Sequence, residues 1–218
     1  MPATVLAVLN PKGGSGKSTL ATNLARALQL GGRNVLVVDA DPQGTARDWR
    51  QTAGDDVDLP PVFGVDRPTL EKDIPKVADA FDVVVIDGAA KAAPMSVSAV
   101  KAADVVLIPV QPSAADLWAA SDLVDIVVAR RSVTDGHPHA AFVVSRQIPG
   151  TRLASGIQEV LDGYGLPVLD ARTSQRVAYA EALAAGLSVI DHEPDGKAAD
   201  EIRAVVAEIE PLLQNQPS

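Results

Sequence analysis

Ten residues near the start of the chain, Asn10 to Thr19, have the types and the spacing to hold a polyphosphate. They read Asn-Pro-Lys-Gly-Gly-Ser-Gly-Lys-Ser-Thr. Gly13, Gly14 and Gly16 carry no Cβ, so the backbone can curl around phosphate oxygens and turn its N–H groups inward. Lys17 adds a point charge for the terminal phosphates, and the Ser18 hydroxyl is suited to Mg²⁺. Ser15 and Thr19 complete the run expected to line the ligand. The usual spacing of such loops asks for glycine where this chain has Pro11, and an additional lysine, Lys12, follows it.

Two further stretches end in carboxylates. Val35 to Asp39 is a short β-branched run that stops at Ala40-Asp41-Pro42-Gln43-Gly44, and Asp82 to Asp87 is a continuous apolar run closed by Asp87. In an open α/β sheet the carboxyl edge of the strands faces the ligand, so Asp39, Asp41 and Asp87 are expected beside the glycine loop.

Such positioning needs a strand, a loop and a helix in sequence. The apolar run Val5 to Leu9 precedes the loop, and Leu20, Leu24, Ala27 and Leu28 recur at helix-face spacing between Ser18 and Leu30. The positive end of that helix points at the bound anion. Further strands are predicted at 62–65, 105–110, 140–145 and 167–169, and helices at 45–52, 68–80, 113–131, 151–161, 175–185 and 197–213, with Ser113 and Gly186 as punctuation. Alternating strands and helices without a linker or repeat predict one α/β domain over residues 1–218, with a doubly wound, mostly parallel sheet flanked by helices.

With the motifs quoted, a resemblance follows. The loop resembles the deviant Walker A motif, Lys-Gly-Gly-x-Gly-Lys-Ser/Thr, of the ParA/MinD family of P-loop ATPases. Asp39-Ala40-Asp41-Pro42-Gln43 resembles the family's second motif, and Asp87 its Walker B carboxylate. The resemblance implies ATP and Mg²⁺ as ligands. It implies that Lys12 crosses a dimer interface to the partner subunit's nucleotide, while Lys17 serves its own. By the same analogy Asp41 orients or deprotonates the attacking water, Ser18 and Asp39 belong to the Mg²⁺ shell, and Asp87 holds a Mg²⁺ water. Gly88-Ala89-Ala90 stands where many members have prolines, as in the shorter plasmid-partition branch. Resemblance also sets Arg146 and the 172–176 loop, with Arg172, around adenine, and the helix start near Asp116 and Trp118 at the dimer interface.

Composition narrows the classes. The 218 residues contain no cysteine, which excludes disulfides, thiolate metal sites and the iron–sulfur reductases related to this family. Aromatics are 3% against 47% hydrophobic residues, so the core must be aliphatic, as in parallel sheets under helices. No apolar stretch is long enough to span a bilayer, no room for a signal peptide precedes the first strand, and the last helix is acidic, so a cytoplasmic protein without a membrane partner is expected. Net charge is −9, yet between Arg130 and Arg176 six arginines face four carboxylates. If DNA is bound, Arg152, Arg172 and Arg176 of that stretch are the leading contacts. His137, His139 and His192 lie apart from ligand spacing and are expected at the surface.

The resemblance implies an ATP-dependent homodimer that coats non-specific DNA, nucleoid-associated when ATP-bound. A ParB-like centromere-binding protein or a cargo adaptor would trigger hydrolysis and release, and the output would be segregation of a plasmid or chromosome. No helix-turn-helix domain is expected before the first strand. Two alternatives are a protein cargo, such as a carboxysome or chemoreceptor cluster, and an ATP-dependent amidoligase of the cobyrinic acid diamide synthase or dethiobiotin synthetase type. Lys12 has no evident role in the amidoligases.

Overall fold

A computed structural model describes residues 3–54, 56–90 and 93–214; the side chains of 152–155 also lie outside the described set. The strands are β1 (Thr4–Val8), β2 (Val35–Asp39), β3 (Val62–Gly64), β4 (Val83–Asp87), β5 (Val105–Val110) and β6 (His139–Val144). They form one sheet in the order β3-β2-β4-β1-β5-β6, every pair parallel. Helices α1 (Lys17–Leu30), α2 (Thr45–Ala53), α3 (Leu70–Val77), α4 (Ala93–Ala102), α5 (Ala114–Arg131), α6 (Arg152–Asp162), α7 (Val177–Ala184), α8 (Val189–His192) and α9 (Lys197–Gln214) connect and follow them. The doubly wound α/β expectation holds.

Alternation along the strands explains the two cores. Leu6 and Val8 of β1 face a layer built on Leu20, Leu24 and Leu28 of α1 and Ile202, Val205 and Ile209 of α9. Val5, Ala7 and Leu9 face the other layer, with Leu70 and Ile74 of α3, Val100 of α4, Leu123 and Val127 of α5 and Leu161 of α6. Because both faces are covered, β2, β4 and β5 are buried at every position, and their sequences read as unbroken apolar runs.

Two elements differ from expectation. The helix predicted from Pro68 starts at Leu70, whose N–H is taken by the Ser98 hydroxyl of α4 at 2.8 Å. The strand predicted at 167–169 is a single bridge between Phe142 and Val168. It cannot continue because the next N–H groups, of Asp170 and Ala171, turn away to the Glu208 carboxylate of α9 at 2.9 and 2.6 Å. Within α4 the buried Met95, Ser96, Ser98, Ala99 and Val100 leave no clean apolar face, so its period is not legible in sequence.

Candidate nucleotide site

The register of the sheet gathers the motifs. Val8 of β1 stands beside Asp87 of β4, and Asp87 beside Asp39 of β2, so the loop after β1 and both carboxylates emerge at one carboxyl edge. A cleft of about 560 Å³ opens there, lined by Gly13, Gly14, Gly16, Lys17, Ser18, Thr19, Asp41, Gln43, Ala90 and Arg146 among others. A second cleft of about 210 Å³ continues past Gly16 and Thr19 to Ser145, Arg146 and the 173–176 loop, with Tyr179 and Ile202 behind.

The loop is held open by its carbonyls. Gly14 O accepts from Gln111 Nε2 at 2.6 Å and from an Arg146 guanidinium nitrogen at 3.0 Å, and Ser15 O accepts from Ser145 Oγ at 2.7 Å. A planar peptide that turns its C=O one way turns the following N–H the other. From Gly13 to Thr19 no backbone N–H finds an acceptor among the described residues, which is the inventory of an anion cradle. Gly14 and Gly16 adopt φ of 79° and 93°, in the left-handed region that side chains disfavour. Gln111 and Ser145 carry no motif of their own, and sequence reasoning missed them; their only signal is a place just past a strand's end.

Lys17 is buried, and its ammonium donates to Lys12 O at 3.1 Å. Burial lowers its pKa, partly offset by the Asp87 and Asp41 carboxylates. Asp87 is fully buried, and neither of its oxygens has a hydrogen bond of good geometry. Burial pushes its pKa up to about 7, the neighbouring Ser18 hydroxyl pulls it down, Asp39 raises it and Lys17 lowers it. A bare buried carboxylate beside a hydroxyl and a ring of free N–H groups fits a polyphosphate with its divalent cation. Asp41 stands in the cleft with Oδ1 accepting from Gln43 N at 2.9 Å and Oδ2 from Ala90 N at 3.3 Å.

Asp39 is engaged by groups of the protein itself. Its Oδ1 accepts from Asp41 N at 3.1 Å, and its Oδ2 from the backbone N and Nε of Arg47 at 3.1 and 3.2 Å. Three donors thus hold this carboxylate, which shapes the Asp41 turn and caps α2. Gly88 has a packing reason of its own: a Cβ there would lie 2.3 Å from Leu9 Cδ2 and 2.9 Å from Val8 O, so the end of β1 leaves no room for a side chain at this position.

Lys12 points away from the cleft, ion-paired with buried Asp116 at the start of α5. Ser113 caps that helix, accepting from Asp116 N at 3.2 Å and donating to Asp116 Oδ2 at 2.5 Å. Trp118, one residue past Leu117, is 74% exposed.

The arginines separate. Arg146, at a left-handed φ of 51°, lines both clefts. Arg172 instead donates to Gln158 of α6 at 3.1 Å and lines neither cleft. Arg176 is paired with Glu201 at 2.7 Å and forms part of the smaller cleft's wall, so it is not a free cation for DNA. The Arg152 side chain lies outside the described residues. Among the described residues no group of His, Asp or Glu makes a separate metal site, and no helix is long and apolar enough to cross a membrane.

Comparison with known proteins agrees with this geometry. Residues 6–189 match the CobQ/CobB/MinD/ParA nucleotide binding domain. The chain is 33% identical to the maintenance of carboxysome distribution protein A of Halothiobacillus neapolitanus over 96% of this chain and 97% of that one. It is 36% identical to the protein of the same name from Gloeobacter kilaueensis, over 92% and 89%. The cell division ATPase MinD of Pyrococcus furiosus superposes with a TM-score of 0.79 at 22% identity, covering 96% of this chain and 99% of that one, which is a likeness of fold. With its phosphate loop, carboxylate edge and sheet order in place, this chain belongs to the CobQ/CobB/MinD/ParA nucleotide-binding family, as an ATPase of the ParA/MinD type.

Proposed function

We propose that the chain positions a protein assembly inside the cell by cycles of ATP binding and hydrolysis, rather than segregating a plasmid or chromosome. The observation that carries this reading is the match, over nearly the full length of both chains, to two carboxysome distribution proteins. It favours the protein-cargo alternative over DNA cargo.

The residues divide the work of hydrolysis. The N–H groups of residues 13–19 and the Lys17 ammonium bind the phosphates, and Arg146 spans the junction between the phosphate cleft and the smaller cleft, which takes the base. Ser18 and Asp87 would hold Mg²⁺, which when bound neutralises charge on the terminal phosphates. Asp41 stands where it can orient water toward the terminal phosphate and take its proton. Lys12 is the one cationic loop residue not directed at its own site, and its release from Asp116 would free it for a partner subunit in an ATP-dependent homodimer. An adaptor on the cargo would stimulate that dimer.

Deleting the gene in its own host tests the assignment. Evenly spaced protein assemblies should cluster, with plasmid and chromosome inheritance unchanged. Plasmid loss with assemblies still evenly spaced would overturn it in favour of partition.

A further inference from the structure

Glu208 of α9 holds the turn at residues 170–171. Glu201, one of the other acidic residues of that helix, is turned to the wall of the smaller cleft. Glu201 Oε1 accepts from Arg176 Nε at 2.9 Å and from its terminal nitrogen at 2.7 Å, while Oε2 accepts from Ser174 N and from the Tyr179 hydroxyl, each at 3.0 Å. Four donors from three residues therefore converge on one carboxylate, which is about as many as its lone pairs accept. Ser174, Arg176 and Tyr179 all line the smaller cleft beside Gly16 and Thr19, and so does Ile202, the next residue of α9. Among the described residues, the other hydrogen bond from this wall to the last helix runs from the Tyr179 hydroxyl to Ala198 O, longer at 3.3 Å.

We infer that Glu201 is a positioning residue for the base of the nucleotide: by holding Ser174, Arg176 and Tyr179 in one arrangement, it shapes the cleft wall without touching the phosphates. This rests on reading the smaller cleft as the base site. The Glu201 side chain is only 14% exposed, and Arg176 compensates its charge, so the arrangement is rigid rather than a loose surface pair. Burial alone would raise the Glu201 pKa, but Arg176, Ser174 and Tyr179 more than reverse this and hold it ionised. Burial and the Glu201 carboxylate raise the Tyr179 pKa, which keeps that hydroxyl a donor.

The test compares a ligand that has a base with one that lacks it. Affinities of the full chain for MgATP and for magnesium tripolyphosphate are measured by calorimetry, alongside unfolding temperatures without nucleotide. Wild type should bind ATP the more tightly. Glu201→Gln should weaken ATP by about tenfold, the size expected for losing a charge-assisted network, and leave tripolyphosphate affinity unchanged. Tyr179→Phe, which removes one donor, should move the ratio the same way by less. If wild type does not distinguish the two ligands, the base cleft itself is misread. If it does, and Glu201→Gln keeps the wild-type ratio, the positioning role is wrong. Equal weakening of both ligands with a lowered unfolding temperature would reduce Glu201 to general packing. Should Glu201→Gln fail to fold, an unchanged ratio in Tyr179→Phe overturns the inference.

Discussion

At the scale of single residues, Asp87 sets burial and charge most sharply against each other. A carboxylate without a hydrogen bond of good geometry, sealed at the end of a central strand, costs free energy in the folded protein, and a divalent cation held with Ser18 would offset that cost. Stabilisation by a bound ligand follows RT ln(1 + [L]/Kd), about 2.7 kcal/mol at a hundredfold excess over Kd. Mg²⁺ should therefore raise the unfolding temperature of the ADP-bound protein well beyond ADP with a chelator. In Asp87→Asn that increment should vanish, because the amide offers the cation no charge. An increment equal to wild type would remove Asp87 from the metal shell. Asp39, one strand away, is predicted to leave the increment intact, since its oxygens are already engaged by Arg47 and the Asp41 amide.

Between elements, the helices are pinned to one another by a few enclosed ion pairs as well as by apolar contact. Arg26 of α1 donates to both Asp191 oxygens of α8 at 2.8 to 3.1 Å, and Asp191 also accepts from the Ser188 hydroxyl at 2.7 Å and, in a capping box, from the Ser188 backbone N–H. Both side chains are mostly enclosed, at 12% and 17% exposure, so solvent screens the pair less than at an open surface. Burial alone would raise the Asp191 pKa, but Arg26 and Ser188 outweigh it and leave the pKa lowered. A lowered folded value means the tie stabilises above the ordinary aspartate value of 3.8 and fades as pH falls through the folded value. Arg26→Met should therefore cost about 1–3 kcal/mol at neutral pH, within the range for charged hydrogen bonds, and progressively less below that value. Denaturant unfolding of both proteins at several pH values measures this. A penalty constant with pH would assign it to lost packing instead.

At the scale of the whole molecule, the proposed homodimer divides the work of one nucleotide site between two subunits. Lys12 faces its own Asp116 in the single chain, so its role at a second nucleotide can be read only by separating the two functions between subunits. Lys12→Ala should lose hydrolysis but keep the affinity that Lys17 supplies, because a charge inserted from a partner is worth on the order of 10³ to 10⁵ in rate for comparable fingers. Asp41→Ala should bind ATP, lose about 10² or more in rate, and accumulate as dimer on a sizing column. Mixed together, the two variants form one composite site with both groups intact if the lysine acts in trans. ATPase activity well above either parent is the expected result. Heterodimers as inactive as their parents would place Lys12 in cis.

The sequence by itself determined the ligand class and the sheet. Glycines at fixed spacing after an apolar run, and carboxylates closing two others, are local signals: each depends on its neighbours in the chain, and parallel strands buried on both faces announce themselves as unbroken apolar runs. Asp41, Asp87, Lys17 and Ser18 accordingly stand where the motifs put them. Only the tertiary structure decided what lies across the cleft. Gln111, Ser145 and Glu201 act on residues far away in sequence, with separations of 97 and 130 residues for the first two, so no spacing rule finds them. For the same reason Arg172 and Arg176, equal in type and close in sequence, part company: one is captured by α6 and the other by α9. Charge counted along a chain is additive, whereas its fate depends on which carboxylate or amide packing brings within hydrogen-bond reach.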